Sequence, residues 1–179
     1  MEDISLHILD VAENSVAAGA TLITIALRVD TVQDLLELDI EDNGRGIPPE
    51  LLGQVLNPFY TTRSTRKVGM GLSLLAQSAR EADGDISVRS ALGKGTRISV
   101  HFRHSHIDRK PMGNLADTFS VLIAGNPAVD FVITCTRNGE EFLFDTREIR
   151  TELEDVPLNA PDVIAAVRDH LSTSLADMK

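Results

Sequence analysis

Asp42, Gly44 and Gly46 lie in the run Asp42-Asn43-Gly44-Arg45-Gly46-Ile47, directly after the alternating stretch Leu36-Glu37-Leu38-Asp39-Ile40-Glu41. The alternation predicts a strand that ends there. The aspartate presents a carboxylate at the strand end. The glycines let the chain turn and let a ligand approach the backbone, although an ordinary turn uses the same residues. Upstream, Asp10 and Asn14 stand four apart on a segment whose Ile8, Ala12 and Val16 have helical spacing. They therefore share a helix face, one turn apart. An amide oxygen is a hard ligand for Mg²⁺, and a neighbouring acid can orient or deprotonate a nucleophile. Two solvated polar residues on an amphipathic helix are the plain alternative.

Two further segments carry chemistry. Asn57-Pro58-Phe59-Tyr60 leads into a hydroxyl-rich loop with Arg63, Arg66 and Lys67, the one dense basic cluster of the chain. The loop ends in Gly69-Met70-Gly71-Leu72 and opens a helix. Glycines before a helix N-terminus let an anion reach backbone amides. A solvated surface loop would have the same composition. Farther on, Gly84–Val100 reads as a β-hairpin about Gly93-Lys94-Gly95, with Thr96 opening the return strand. The Thr96 hydroxyl could bond a base or a buried acid there, or serve only as a strand residue.

Together the four segments resemble the GHKL ATP-binding superfamily of gyrase, Hsp90, histidine kinases and MutL. The Asn14 helix resembles its N box and Asp42–Gly46 its G1 box. Asn57–Tyr60 is similar to the F box of histidine kinases, and Gly69–Leu72 to the G2 box. The resemblance covers residues 1–105. It implies ATP and Mg²⁺ as cofactors, with Asn14 as the metal ligand. It implies that Asp42 accepts from the adenine amino group with support from Thr96, and that Gly44 and Gly46 pass beside the base. Gly69, Gly71 and Leu72 would line the phosphates, with Arg63 and Lys67 as lid cations. Asp10 takes the catalytic position. ATP-hydrolysing members place Glu there, and Asp is one methylene shorter, so the resemblance carries binding further than hydrolysis.

The surroundings of the motifs narrow the reading. The expectation is that no helical hairpin bearing a phosphoacceptor histidine precedes the N box and that no transducer-sized domain follows. The expectation is a module acting in trans: a histidine-kinase-like or anti-sigma-like kinase of a partner protein, or an ATP/ADP sensor that switches a protein contact. His7 is expected to be a helix-surface or packing residue rather than a phosphoacceptor. The formal net charge of −10 argues against a nucleic-acid partner. No apolar stretch reaches the roughly 18 residues of a membrane span and no secretory signal is visible, so a cytoplasmic protein is expected. The single cysteine, Cys135, excludes an intramolecular disulfide and reads as a core thiol.

The elements that must position these residues follow from pattern. A helix over 4–18 leads to strands at Leu22–Val29 and Leu35–Glu41. A short helix starts near Pro48-Pro49, a longer one covers 71–82, and a hairpin covers 85–103. The fold class expected is α+β, a two-layer sandwich with helices on one face of a mixed sheet. Residues 106–118 read as a linker. His101, His104 and His106 read as exposed strand-end histidines. Residues 119–179 read as a small α+β unit of unknown role, packed on the first domain, on a second copy in a homodimer, or on a partner. Its expected elements are strands Phe119–Ala124, Val129–Thr136 and Glu141–Phe144, with an Asn138-Gly139 hairpin turn. A capping box at Asp145–Glu148 would open a helix. A last helix would run from Asn159 to about Ala176, with Val163, Ala166, Val167, Leu171 and Leu175 on one face.

Overall fold

The computed structural model describes residues 2–56 and 71–178. In chain order the elements are α1 (Ile4–Ala17), β1 (Leu22–Asp30), β2 (Leu35–Asp42), α2 (Pro49–Leu52), α3 (Gly71–Glu81), β3 (Asp85–Ala91) and β4 (Gly95–Arg103). They continue with α4 (Leu115–Gly125), β5 (Asp130–Arg137), β6 (Glu140–Asp145), α5 (Thr146–Leu153) and α6 (Pro161–Ser174). The strands form one mixed sheet of order β3-β4-β2-β1-β5-β6. Among the described residues only the β1–β5 pairing is parallel.

Alternation decides which face is buried. Ile23, Ile25, Leu27 and Val29 on β1 point to the same side as Leu36, Leu38 and Ile40 on β2. Ile98, Val100 and Phe102 continue that side on β4, and Phe131, Ile133 and Cys135 on β5. Helices α1 and α3 lie against it, α4 packs beside α1, and α6 packs beside α4. The opposite face is open and polar. Arg28 pairs there with Asp30 and Glu37, and Arg97 with Asp39 and Glu41. Such exposed pairs contribute little stability individually. Among the described residues no helix is long and apolar enough to cross a membrane.

The second half of the chain extends this sheet. Ile25 pairs with Ile133 and Leu27 with Cys135 across β1–β5, and one contiguous core runs from Ile4 to Met178. Residues 106–118 also do more than connect. The carbonyls of Pro111 and Met112 accept from the amides of Ile4 and Ser5 at 2.9 and 3.0 Å, satisfying donors that the first turn of α1 leaves open. Asp3 caps the same helix by accepting from the amide of Leu6 at 2.9 Å.

Three expectations change. Phe119–Ala124 is helical, within α4, rather than a strand. Its aromatic and β-branched residues suggested a strand, but Leu115, Ala116, Phe119, Leu122 and Ile123 are the buried positions, which is helical periodicity once the window begins at Leu115. On α6, Val167 and Leu171 are buried, whereas Ala166 is exposed and Ile164 takes the inward position beside Val163. The last helix also ends at Ser174. The Asn138-Gly139 turn has φ of 51° and 91°, the left-handed pair a tight hairpin requires. The Asp145 side chain accepts from the amide of Arg147 at 2.9 Å, capping α5.

Candidate nucleotide site

The site grows from the sheet-facing row of α1. His7, Val11 and Ser15 recur at four-residue spacing and all are buried, so Ser15 is a polar group set into an apolar stripe. Its partner is Asp42, the last residue of β2, which is only 7% exposed. The Ser15 hydroxyl donates to Oδ2 of Asp42 at 2.6 Å, and the amide of Gly44 donates to Oδ1 at 2.8 Å. Each carboxylate oxygen thus has one donor from the described residues. The capacity left on the carboxylate is that of a pure acceptor.

The turn after Asp42 is held from both sides. Oδ1 of Asn43 accepts from the amides of Thr21 and Leu22 at 2.8 and 3.0 Å, tying the turn to the start of β1. The amide of Arg45 donates to the carbonyl of Ala18 at the end of α1, and the carbonyl of Arg45 accepts from Gly93 in the β3–β4 turn. Gly46 has φ of 72°, and a Cβ on it would overlap the carbonyl of Ala91. Gly95 has φ of 85°, and a Cβ there would overlap the carbonyl of Asp42. Both positions require glycine for conformation and for space. Turn and hairpin are therefore interlocked, and they bring Thr96 beside Asp42. The two are cross-strand partners on one face of the sheet.

Asp10 and Asn14 sit half-buried on the adjacent face of α1. Nδ2 of Asn14 donates to Oδ2 of Asp10 at 3.5 Å. The first residue of α3, Gly71, passes so close that a Cβ on it would overlap the Asp10 carboxylate. Leu72 is half-buried against the core. Asp10, Asn14, Asp42, Gly44, Gly46, Gly71 and Thr96 thus lie on α1, the β2 end, the α3 start and the β4 start. Arg63, Lys67, Gly69 and the Asn57–Tyr60 box lie outside the described residues.

Three residues were not singled out from sequence: Ser15, Asn43 and Ser90. The signal for Ser15 and Ser90 is the same, a hydroxyl at a position where periodicity calls for an apolar side chain. Ser90 follows Ile86 and Val88 on the inward side of β3. Its Oγ donates to the carbonyl of Gly95 at 2.7 Å, accepts from the amide of Ile47 at 2.8 Å and lies 2.9 Å from Oγ1 of Thr96. His7, lower on the α1 row, is 1% exposed and its Nδ1 has no hydrogen-bond partner among the described residues. Burial pulls its pKa down to about 4. Cys135 is buried on β5, and burial pushes its thiol up to about 12.

The set of groups suits a flat heterocycle with an amino group. It offers a buried acceptor carboxylate at a strand end, glycine backbone beside it, and an acid–amide pair one turn along the helix. Residues 2–106 match the histidine kinase-, DNA gyrase B- and HSP90-like ATPases, and the chain belongs to that family. It carries an ATP-binding domain similar to those of histidine kinases. It is 27% identical to a putative sensor histidine kinase NtrY-like of Rickettsia bellii over 110 residues, 62% of this chain and 18% of that protein. It is 33% identical to the tetrathionate sensor histidine kinase TtrS of Salmonella typhimurium over 97 residues, 52% of this chain and 16% of that protein. The chain spans less than a fifth of the length of these relatives. The fold is that of the Aquifex aeolicus MutL ATPase domain complexed with ADP, at a TM-score of 0.53 and 17% identity over 81% of this chain and 63% of that one. The N-terminal domain of a DNA repair protein gives a TM-score of 0.56 at 19% identity, over 80% of this chain and 52% of that one.

Proposed function

We propose that this protein binds ATP with Mg²⁺ and transfers phosphate to a partner protein in trans. The observation that carries the binding half is the buried Asp42 carboxylate, held by Ser15 and Gly44 with Thr96 beside it. The transfer half rests on likeness to the sensor histidine kinases. Asp42 accepts a hydrogen bond from the adenine amino group, and Gly44 and Gly46 leave room for the base. The amide oxygen of Asn14 would hold the Mg²⁺. By the family resemblance, Gly69, Gly71 and Leu72 would line the phosphates, with Arg63 and Lys67 as cationic partners. Asp10 orients the acceptor hydroxyl or imidazole and takes its proton. When bound, Mg-ATP supplies the activated phosphoryl group, so the protein's share is positioning and charge neutralisation. The site acts in the cytoplasm.

A second reading is favoured by one contact. The Asp10 carboxylate packs on the first residue of α3, so nucleotide beside Asn14 is felt where α3 begins. An ATP/ADP-sensing module would use that coupling to change a partner surface.

Calorimetry with ATP, with and without Mg²⁺, tests the binding half. Mg-dependent binding in the wild type, lost in Asp42→Asn, supports it; undiminished affinity in Asp42→Asn refutes the assignment. Incubation with γ-labelled ATP in a lysate of the source organism tests transfer. Labelled protein bands that depend on the wild type and vanish with Asp10→Asn support the kinase. Tight Mg-ATP binding with no wild-type-dependent band selects the sensor.

A further inference from the structure

Ser90 sits behind Thr96 with three partners and a single proton. A serine hydroxyl offers one donor and two acceptor lone pairs. The amide of Ile47 can only donate, and it does so to Oγ at 2.8 Å. The carbonyl of Gly95 can only accept, and it lies 2.7 Å from the same oxygen. The Ser90 proton therefore goes to Gly95. The remaining contact, 2.9 Å to Oγ1 of Thr96, then has one direction that satisfies every group: Thr96 donates into the second lone pair of Ser90. With its only proton turned inward, Thr96 can offer a ligand nothing but lone pairs.

Asp42, the cross-strand partner of Thr96, is constrained in the same sense. Its carboxylate is filled once on each oxygen by Ser15 and Gly44 and offers further lone pairs only. Two neighbouring side chains at the strand ends thus both face a ligand as acceptors. We infer that Ser90 is a positioning residue that locks the Thr96 hydroxyl as an acceptor and thereby sets a preference for 6-amino over 6-oxo purine nucleotides. This deepens the base-binding reading of Asp42 and Thr96 and rests on it. A 6-amino group brings N–H donors to the pair. A 6-oxo group would set an acceptor against acceptors in a partly buried place, which a site built for hydrogen bonding rejects strongly.

The test compares ATP with ITP, which exchanges the 6-amino group for a 6-oxo group, by calorimetry on the full chain with Mg²⁺. The wild type is expected to prefer ATP. Ser90→Ala releases the Thr96 proton to turn toward the ligand, and the ATP-to-ITP affinity ratio should narrow by about tenfold, the worth of one hydrogen bond. Ser90→Thr keeps the hydroxyl and should keep the wild-type ratio. Thr96→Val removes the polarised group itself and should weaken ATP while sparing ITP; it carries the test should Ser90→Ala fail to fold. A ratio unchanged in Ser90→Ala overturns the role of Ser90 and leaves the base reading standing; a ratio unchanged in Thr96→Val removes Thr96 from the base reading and overturns the role of Ser90 with it. A wild type that binds ATP and ITP equally, or binds neither, overturns the base reading and this inference together.

Discussion

The Ser15 hydroxyl donates a 2.6 Å hydrogen bond to the Asp42 carboxylate, joining the last turns of α1 to the last residue of β2. Ser15 directly follows Asn14, so one turn of helix carries both the candidate metal ligand and the residue that orients the candidate base receptor. The two ends of the candidate nucleotide site are thereby fixed to one rigid element, which loops alone would hold less well.

That relationship predicts the outcome of Ser15→Ala. The substitution leaves a buried carboxylate with one donor fewer, at a cost of about 1–3 kcal/mol. Part of this appears as lower stability and part as a rotated carboxylate. ATP affinity is expected to fall by about tenfold while Mg²⁺ dependence persists. Ser15→Thr, which keeps the hydroxyl, should bind nearly as the wild type. Calorimetry on the two variants decides it: equal affinity in Ser15→Ala would show that Gly44 alone suffices to aim Asp42.

Gly71 predicts a coupling between helices. A Cβ at this position would overlap the Asp10 carboxylate, so Gly71→Ala must push Asp10 away or shift the start of α3. Stability is expected to fall by about 1–3 kcal/mol, as in an overpacked core. The double variant Asp10→Ala/Gly71→Ala removes the obstacle and should recover most of that loss. Residues in contact are non-additive in this way. Urea midpoints for the four members of the cycle measure it, and simple additivity would mean that the contact carries no energy.

Much of this site is legible in the sequence because its parts punctuate elements. Gly46 in the turn after β2 and Gly95 at the start of β4 have positive φ, and Asp10 and Asn14 advertise their shared face by spacing. Ser15 and Ser90 were harder to see. A serine is ordinary on any surface, and only the pairing of α1 with β2 and of β3 with β4 shows that these two point inward. The joining of β5 to β1 was hidden for a related reason. A parallel pair needs a crossover rather than a tight turn, so no local signal connects Val129–Thr136 with Leu22–Val29. Phe119–Ala124 reads as a strand only while Leu115 and Ala116 are counted with the linker, because they form the first turn of the helical pattern.

His7 predicts a pH dependence of stability. Its folded pKa is about 4 against an ordinary 6.5, with burial as the leading cause. Above pH 6.5 the ring is neutral in both states and contributes no slope. Between 6.5 and 4 the unfolded chain takes up a proton that the folded chain refuses, so stability is lost as pH falls through that window. The full loss is about 3 kcal/mol. Replacing the ring with an apolar side chain removes the titration. His7→Leu should therefore flatten the urea midpoint between pH 6.5 and 4.5 relative to the wild type. A slope identical in both proteins would assign the pH dependence to other groups.

The family match ends at residue 106, yet the physical unit does not. A fragment of residues 1–106 would lose the carbonyls of Pro111 and Met112 that satisfy the first amides of α1. It would bare the edge of β1, which pairs with β5 from Leu22 to Val29. It would also strip Leu115, Phe119 and Phe131 from a core to which they are fully committed. A strand bared along one edge is a site for aggregation, and a core open along one side lacks the mutual support that makes unfolding cooperative. The fragment is expected to bind a hydrophobic dye and to unfold in urea without a sigmoidal transition, whereas the full chain unfolds in one step. A cooperative transition in the fragment, with Mg-ATP raising its midpoint, would show that residues 107–178 are dispensable for the site. The expected result would make β5, β6 and α4 part of the nucleotide-binding fold in this chain.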